Sequence, residues 1–200
     1  PGCTRAVFVR PEWSLMHAQL SQLAGLIRTR NEVEVEIARI IQRPASIGHL
    51  GEFIAAAIFD IELARSASNK GHDGWFRSGP LAGKTVNVKW YARREGLLDI
   101  NAAALPDVYL VLAGPRPSAA DRQARTRSWI IQSVYVFEAP SLVQQLLAKG
   151  VGIGIAASVA AKWWNEAEVY PRAMRHDVVL TPEQRAALAL FADEAHTTSA

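Results

Sequence analysis

The stretch from residue 73 to residue 92 constrains the fold most, because its pattern is typical of a β-hairpin. Turn-forming residues at 78–83 separate a short first strand, which begins at Asp73, from a second strand over residues 84–92. Side chains alternate across a strand, so one face of the second strand carries Val86, Val88 and Trp90, and the other carries Thr85, Asn87, Lys89 and Tyr91. Such a hairpin needs further strands or helices to bury its apolar face.

The flanking patterns predict an α/β fold with a central mixed β-sheet flanked by helices. Helices are expected over 12–42, 47–65, 140–149 and 158–164, and from Thr181, which forms a capping box with Gln184. Strands are expected over 107–113, 128–137 and 152–156. The predicted organisation is an N-terminal helical segment packed on the core (1–46), an α/β core (47–175) and a C-terminal helix with its tail (176–200).

Length and composition indicate an ordinary globular protein. The chain has 200 residues, of which half are apolar and a fifth charged, enough to bury a core without disulfides. Its one cysteine, Cys3, argues against a disulfide framework and a cysteine-based zinc site. No apolar run is long enough for a membrane span. We therefore expect a cytoplasmic protein without a membrane partner.

Charge is distributed unevenly along the chain. Residues 61–130 contain eleven Lys and Arg against six Asp and Glu, so they carry +5 while the rest carries −2. Clustered cations favour a polyanionic ligand because binding releases counterions. A solvated loop that happens to contain several arginines is an equally good explanation.

Four polar residues converge on this hairpin and the helix before it. Glu52 heads an apolar face of the helix predicted over 47–65, where an unpaired carboxylate is costly. Asp73 opens the hairpin, and Asn87 and Lys89 share one face of its second strand. Two carboxylates and a backbone carbonyl can hold Mg²⁺, and a lysine can orient or help deprotonate water. Each residue also has a structural explanation: Glu52 an ion pair, Asp73 a turn, Lys89 edge protection.

This pattern resembles the PD-(D/E)XK nuclease superfamily, in which a helix supplies Glu, one hairpin strand Asp, and the next a D/E-x-K triplet. The resemblance covers roughly residues 47–157. It implies a restriction endonuclease-like fold, with Glu52 and Asp73 as Mg²⁺ (or Mn²⁺) ligands, the Val88 carbonyl as a further ligand, and Lys89 as the catalytic lysine. The runs 88–91, 94–100 and 106–107 are similar to an uncharacterised bacterial family.

The triplet departs from the superfamily pattern at its first position, where Asn87 replaces the acid. Mrr-like restriction enzymes are similar in using a neutral residue, Gln-x-Lys. Asn87 is then a weaker ligand, and three consequences stay open: weak metal binding, a carboxylate supplied instead by Glu95 or Asp99, or lost activity.

The resemblance implies a Mg²⁺-dependent nuclease that cleaves DNA phosphodiesters, with Arg93 and Arg94 as phosphate contacts. The alternative is a catalytically inactive nuclease-fold module that binds nucleic acid or a partner protein. A partner-binding subunit without nucleic acid, and a homodimer, also stay open. The aromatic residues Trp75, Trp90 and Tyr91 can stack on bases or belong to the core.

Overall fold

The computed structural model describes residues 11–64, 71–117 and 127–193. The chain forms two compact units, divided between Ala45 and Ser46. The predicted domain limits at residues 46 and 175 stay predictions. Among the described residues, no helix is both long and apolar enough to cross a bilayer.

The first unit is built on one long helix, α1 (Pro11–Ile41), which confirms the helix predicted over 12–42. Its side chains are mostly exposed, and the exposed large apolar residues are Leu15, Met16, Leu20, Leu23, Leu26, Ile27, Val33, Val35 and Ile40. The helix ends where Gln42 takes a positive φ of 55°.

The second unit contains all the other described elements. In chain order they are α2 (Ile47–Phe59), β1 (Ile61–Leu63), β2 (Gly74–Phe76), a 3₁₀ turn (Gly79–Leu81), β3 (Thr85–Tyr91), β4 (Leu97–Leu98), β5 (Val108–Ala113), β6 (Ser133–Glu138), α3 (Ala139–Ala148), β7 (Ala157–Ser158), α4 (Ala161–Ala167), β8 (Glu168–Tyr170) and α5 (Pro182–Ala189).

A six-stranded sheet in the order β1-β2-β3-β5-β6-β8 forms the centre of this unit. The β3 and β5 strands pair in parallel, with Asn87 beside Tyr109 and Lys89 beside Val111, and the other neighbours pair antiparallel. A separate two-stranded ribbon pairs β4 with β7. The predicted α/β class, with a mixed sheet flanked by helices, is thereby confirmed; its likeness to restriction endonucleases stays a prediction.

Each face of the sheet has its own apolar core. On one face, Val86, Val88 and Trp90 of β3 cluster with buried residues of α2 and with Leu188 of α5. On the other, Tyr109 and Val111 of β5 cluster with residues of β6, α3 and α4. The α2 helix packs closely on the sheet face that carries Trp90. A Cβ added at Gly51 would lie only 3.0 Å from the Trp90 Cβ. This close packing fixes Glu52, the next residue, relative to β3.

Four predicted elements differ from the structure in extent or kind. The strand predicted over 128–137 begins only at Ser133, and the helix predicted over 158–164 lies at Ala161–Ala167. The helix predicted over 47–65 ends at Phe59, because Asp60 adopts a left-handed conformation and starts the turn into β1. The Asp60 carboxylate binds Arg77 and Ser78, which stabilises that turn. No strand forms over 152–156, where Ile155 is 93% exposed; the strand follows at β7 instead. An apolar residue type alone does not show that a side chain is buried.

Two other sequence signals are confirmed. The capping box of α5 is present, with Thr181 accepting from the Gln184 N–H and Gln184 accepting from the Thr181 N–H. The predicted hairpin is present as β2 and β3, joined through the 3₁₀ turn.

Candidate functional site

Asp73 lies where β2 begins, against the middle of β3. Its backbone N–H donates to the Val86 carbonyl at 2.8 Å. Its carboxylate Oδ2 accepts from the Val88 N–H at 2.7 Å. The side chain therefore extends the strand ladder by one hydrogen bond beyond the last paired residues. In a strand the N–H and C=O of one residue point toward the same neighbour, so the Val88 carbonyl lies on the same edge as Asp73.

The Asn87 side chain contributes a second oxygen atom next to Asp73. Its Oδ1 is buried and accepts no hydrogen bond from the described residues. The β2–β3 register pairs Gly74 with Val86, so Asp73 and Asn87 come next to each other one step along the ladder. Buried polar atoms are nearly always satisfied, and an unsatisfied one calls for a water, an ion or a functional explanation.

Glu52 and Lys89 approach Asp73 from opposite faces of the sheet. Glu52 belongs to α2, which packs on the face of Val88 and Trp90. Lys89 projects from the other face, together with Asn87. Both charges nevertheless act on the Asp73 carboxyl. Asp73, at the strand edge, is thus the common neighbour of the other two.

The pKa of Asp73 is raised above its ordinary value. Burial is the main cause, and the negative charge of Glu52 raises the pKa further. The hydrogen bond from Val88 and the charges of Lys89 and His72 act in the opposite direction without cancelling the shift. A carboxylate with a raised pKa beside a second carboxylate gains from a nearby cation.

Three oxygen types at this edge fit a hard divalent cation: a carboxylate of Asp73, the amide Oδ1 of Asn87 and the carbonyl of Val88. The unsatisfied Asn87 oxygen is the observation that favours the fit. Within the described ranges, no group of three or more His, Cys, Asp or Glu residues is arranged to hold a metal. Any cation here would therefore keep several waters, as Mg²⁺ commonly does.

The two alternative carboxylates have other partners. Asp99 Oδ1 accepts from the Ala156 N–H at 2.8 Å, and the Asp99 N–H donates to the Tyr91 hydroxyl at 3.0 Å. Glu95 lies 3.7 Å from the Arg127 guanidinium. These contacts direct both residues to the β4–β7 region and to a surface ion pair.

The aromatic residues divide between core and surface. Trp90 is buried, and its indole N–H donates to the Ile130 carbonyl at 3.3 Å. Tyr91 packs against the second core, and burial raises its pKa to about 12. Trp75 is 37% exposed and lies opposite Thr85, on the face that carries Asn87 and Lys89. Only Trp75 of these three has the exposure that base stacking needs.

The two candidate phosphate contacts, Arg93 and Arg94, follow β3. Arg93 is partly buried. Arg94 lies over the rings of Tyr135 and Trp164, at 5.7 and 5.6 Å from their centroids. It therefore faces the second core, away from the Val88 side of the sheet.

The chain matches no protein-family model, and no curated protein is significantly similar to it. The candidate site therefore stands on its own geometry.

Proposed function

We propose that this protein is a Mg²⁺- or Mn²⁺-dependent nuclease-like enzyme that hydrolyses DNA phosphodiesters at the edge formed by Asp73 and β3. The observation that supports it most is the unsatisfied buried oxygen of Asn87 beside an Asp73 carboxyl with a raised pKa. A cation would satisfy the first group and stabilise the ionised form of the second.

The roles follow from the contacts. Asp73, Asn87 and the Val88 carbonyl would hold the cation, with Glu52 adding negative charge from the α2 side. The cation would supply a polarised water and would stabilise charge on the phosphodiester. The hydrogen bond from Val88 fixes one Asp73 oxygen and leaves the other for a ligand. The Lys89 ammonium acts on Asp73 from the opposite face and is suited to hold a phosphate oxygen or a water near it.

Cleavage of plasmid and linear DNA in Mg²⁺ or Mn²⁺ tests this proposal. Asp73→Asn and Lys89→Ala should each lower the cleavage rate by about 10²–10⁴-fold, the usual contribution of a positioned proton-transfer or charge-stabilising group. Glu62→Gln is the matched control, because Glu62 is an exposed acid on the neighbouring strand β1 and should leave the rate unchanged. Equal activity in the wild type and the two site variants would remove the assigned roles.

Asn87→Asp provides a gain-of-function arm. The variant restores the acidic residue of the triplet at the position of Asn87 Oδ1, which accepts no hydrogen bond from the described residues. Calorimetry should therefore show tighter Mg²⁺ binding. Unchanged affinity would mean that the Asn87 side chain does not face the cation.

The second candidate is a catalytically inactive module of the same fold that binds nucleic acid or a partner protein. It is favoured by the neutral Asn87 and by the lack of a three-residue acidic or histidine group in the described part of the chain. DNA binding that falls steeply with salt, without detectable Mg²⁺ binding or cleavage, would select this candidate.

A further inference from the structure

A second polar site lies at the carboxyl-terminal edge of the parallel strands β3 and β5, on the far side from Asp73. It is a cavity of about 340 Å³ whose lining includes Arg116, Gln132, Ser133, Tyr135, Glu168 and Arg172. These residues come from three separate stretches of the chain, so no sequence motif marked the site.

The two arginines that line this cavity differ in how far a nearby carboxylate neutralises their positive charge. Arg172 is held by the buried carboxylate of Glu168, through Nε–Oε1 and Nη2–Oε2 distances of 2.8 and 2.6 Å. That pair is close to neutral as a unit. Arg116 instead donates to the neutral Asn165 Oδ1 at 3.3 Å. Its positive charge therefore remains available to the cavity.

Arg94 adds a second uncompensated charge behind Tyr135. Its Nε and Nη1 are buried and donate to no described residue, and its guanidinium instead lies over the Tyr135 and Trp164 rings. The indole N–H of Trp164, which is 1% exposed, also finds no acceptor within the described ranges. The Trp164 ring meets the Tyr135 ring edge-on at 4.8 Å, and Asn165, the next residue, receives Arg116. Arg94 thus contacts the aromatic pair directly, and Arg116 contacts the residue that follows Trp164.

The backbone fixes this arrangement. Gly114 donates to the Tyr91 carbonyl at 2.8 Å, and Arg94 donates through its backbone N–H to the Pro115 carbonyl at 3.0 Å. A Cβ at Gly114 would lie 2.1 Å from the Ala92 carbonyl oxygen, so only glycine allows the two segments to approach this closely. The backbone segments that carry Arg94 and Arg116 are therefore held together before any ligand arrives, which lowers the cost of binding.

We infer that this cavity binds an oxyanion of the phosphate class. Arg116 and Arg172 against Glu168 leave a charge of +1 on the lining itself. Arg94, behind Tyr135, adds positive potential from outside the lining. Guanidinium groups suit phosphate oxygens because their N–H donors are planar and always charged. The inference is independent of the cation site at Asp73.

Calorimetry with the full chain tests it, with inorganic phosphate, adenosine 5′-monophosphate and acetate as probes. Saturable binding of phosphate, of the monophosphate or of both supports the site, and the comparison tells whether a free or an esterified phosphate is preferred. Binding of acetate as tight as phosphate, or no saturable binding of either phosphate, overturns it.

Three variants locate the binding. Arg116→Gln should lower the affinity for phosphate about tenfold or more, because the variant loses a charge-assisted hydrogen bond to the ligand. Arg94→Gln should act in the same direction, and its circular dichroism spectrum and melting temperature show whether it still folds. Arg30→Gln on α1 is the matched control, an exposed arginine in an ion pair with Glu34. Because Arg116 is exposed, its variant decides the matter even if Arg94→Gln misfolds: unchanged affinity in Arg116→Gln overturns the site.

Discussion

At the scale of single residues, Asp73 combines a structural and a chemical role that substitutions can separate. Its carboxylate is the acceptor for the Val88 N–H. Asp73→Ala removes that acceptor and should cost about 1–3 kcal/mol of unfolding free energy, the penalty of an unsatisfied buried donor. Asp73→Asn keeps an oxygen in the same place and should cost much less. Urea denaturation of both variants measures the difference, and equal losses would show that the hydrogen bond does not stabilise the fold.

The raised pKa of Asp73 predicts how stability depends on pH. Because the pKa in the folded state lies above the value of 3.8 in the unfolded chain, folding favours the protonated carboxyl. This stabilising contribution is complete below the unfolded pKa and is lost as pH rises through the folded pKa.

The stability of Asp73→Asn relative to the wild type should therefore increase from about pH 4 upward. Denaturant melts of both proteins at a series of pH values test this in the absence of divalent cations. Added Mg²⁺ should restore wild-type stability at neutral pH and leave the variant unchanged. A relative stability that is flat with pH would contradict the assigned electrostatics.

At the scale of elements, the junction of β3 and β5 is the least tolerant point of the sheet. Gly114→Ala places a Cβ against the backbone oxygen of Ala92, which cannot move without breaking the parallel pair. We expect a loss of about 3 kcal/mol, at the upper end of what overpacking costs. Gly152→Ala is the matched control, since nothing lies within 4 Å of its added Cβ. Thermal melts of both variants compare them, and an equally small effect in each would disprove the close approach.

Elements with enough residues to show a period could be predicted from sequence. The alternation of β3 and the capping box of α5 are confirmed, because each depends on a few neighbouring side chains. Strands of two or three residues, such as β1 and β7, are too short to show a period. The early end of α2 depends on the left-handed Asp60 and its contacts with Arg77 and Ser78, seventeen and eighteen residues away.

The candidate site was predictable only in part, because sequence patterns report neighbouring residues and not tertiary contacts. Alternation placed Asn87 and Lys89 on one face, which the strand shows. It could not show that α2 packs on the other face, nor that the Asp73 carboxylate binds the β3 backbone. Those facts depend on tertiary packing. The sequence gives no signal for the arginine cavity, since its lining residues meet only when β5, β6 and β8 assemble.

At the scale of the whole molecule, the two apolar cores predict which part of the chain carries cooperative stability. Every buried residue of both clusters lies between Ile54 and Leu188, and no residue of α1 whose burial the structure describes belongs to either. A chain that begins at Ser46 should therefore unfold in a single transition within about 4 °C of the full chain, the shift that roughly 1 kcal/mol produces in a domain of this size. Calorimetry of the two chains tests this. A broad transition, or a much lower midpoint, would mean that α1 stabilises the sheet.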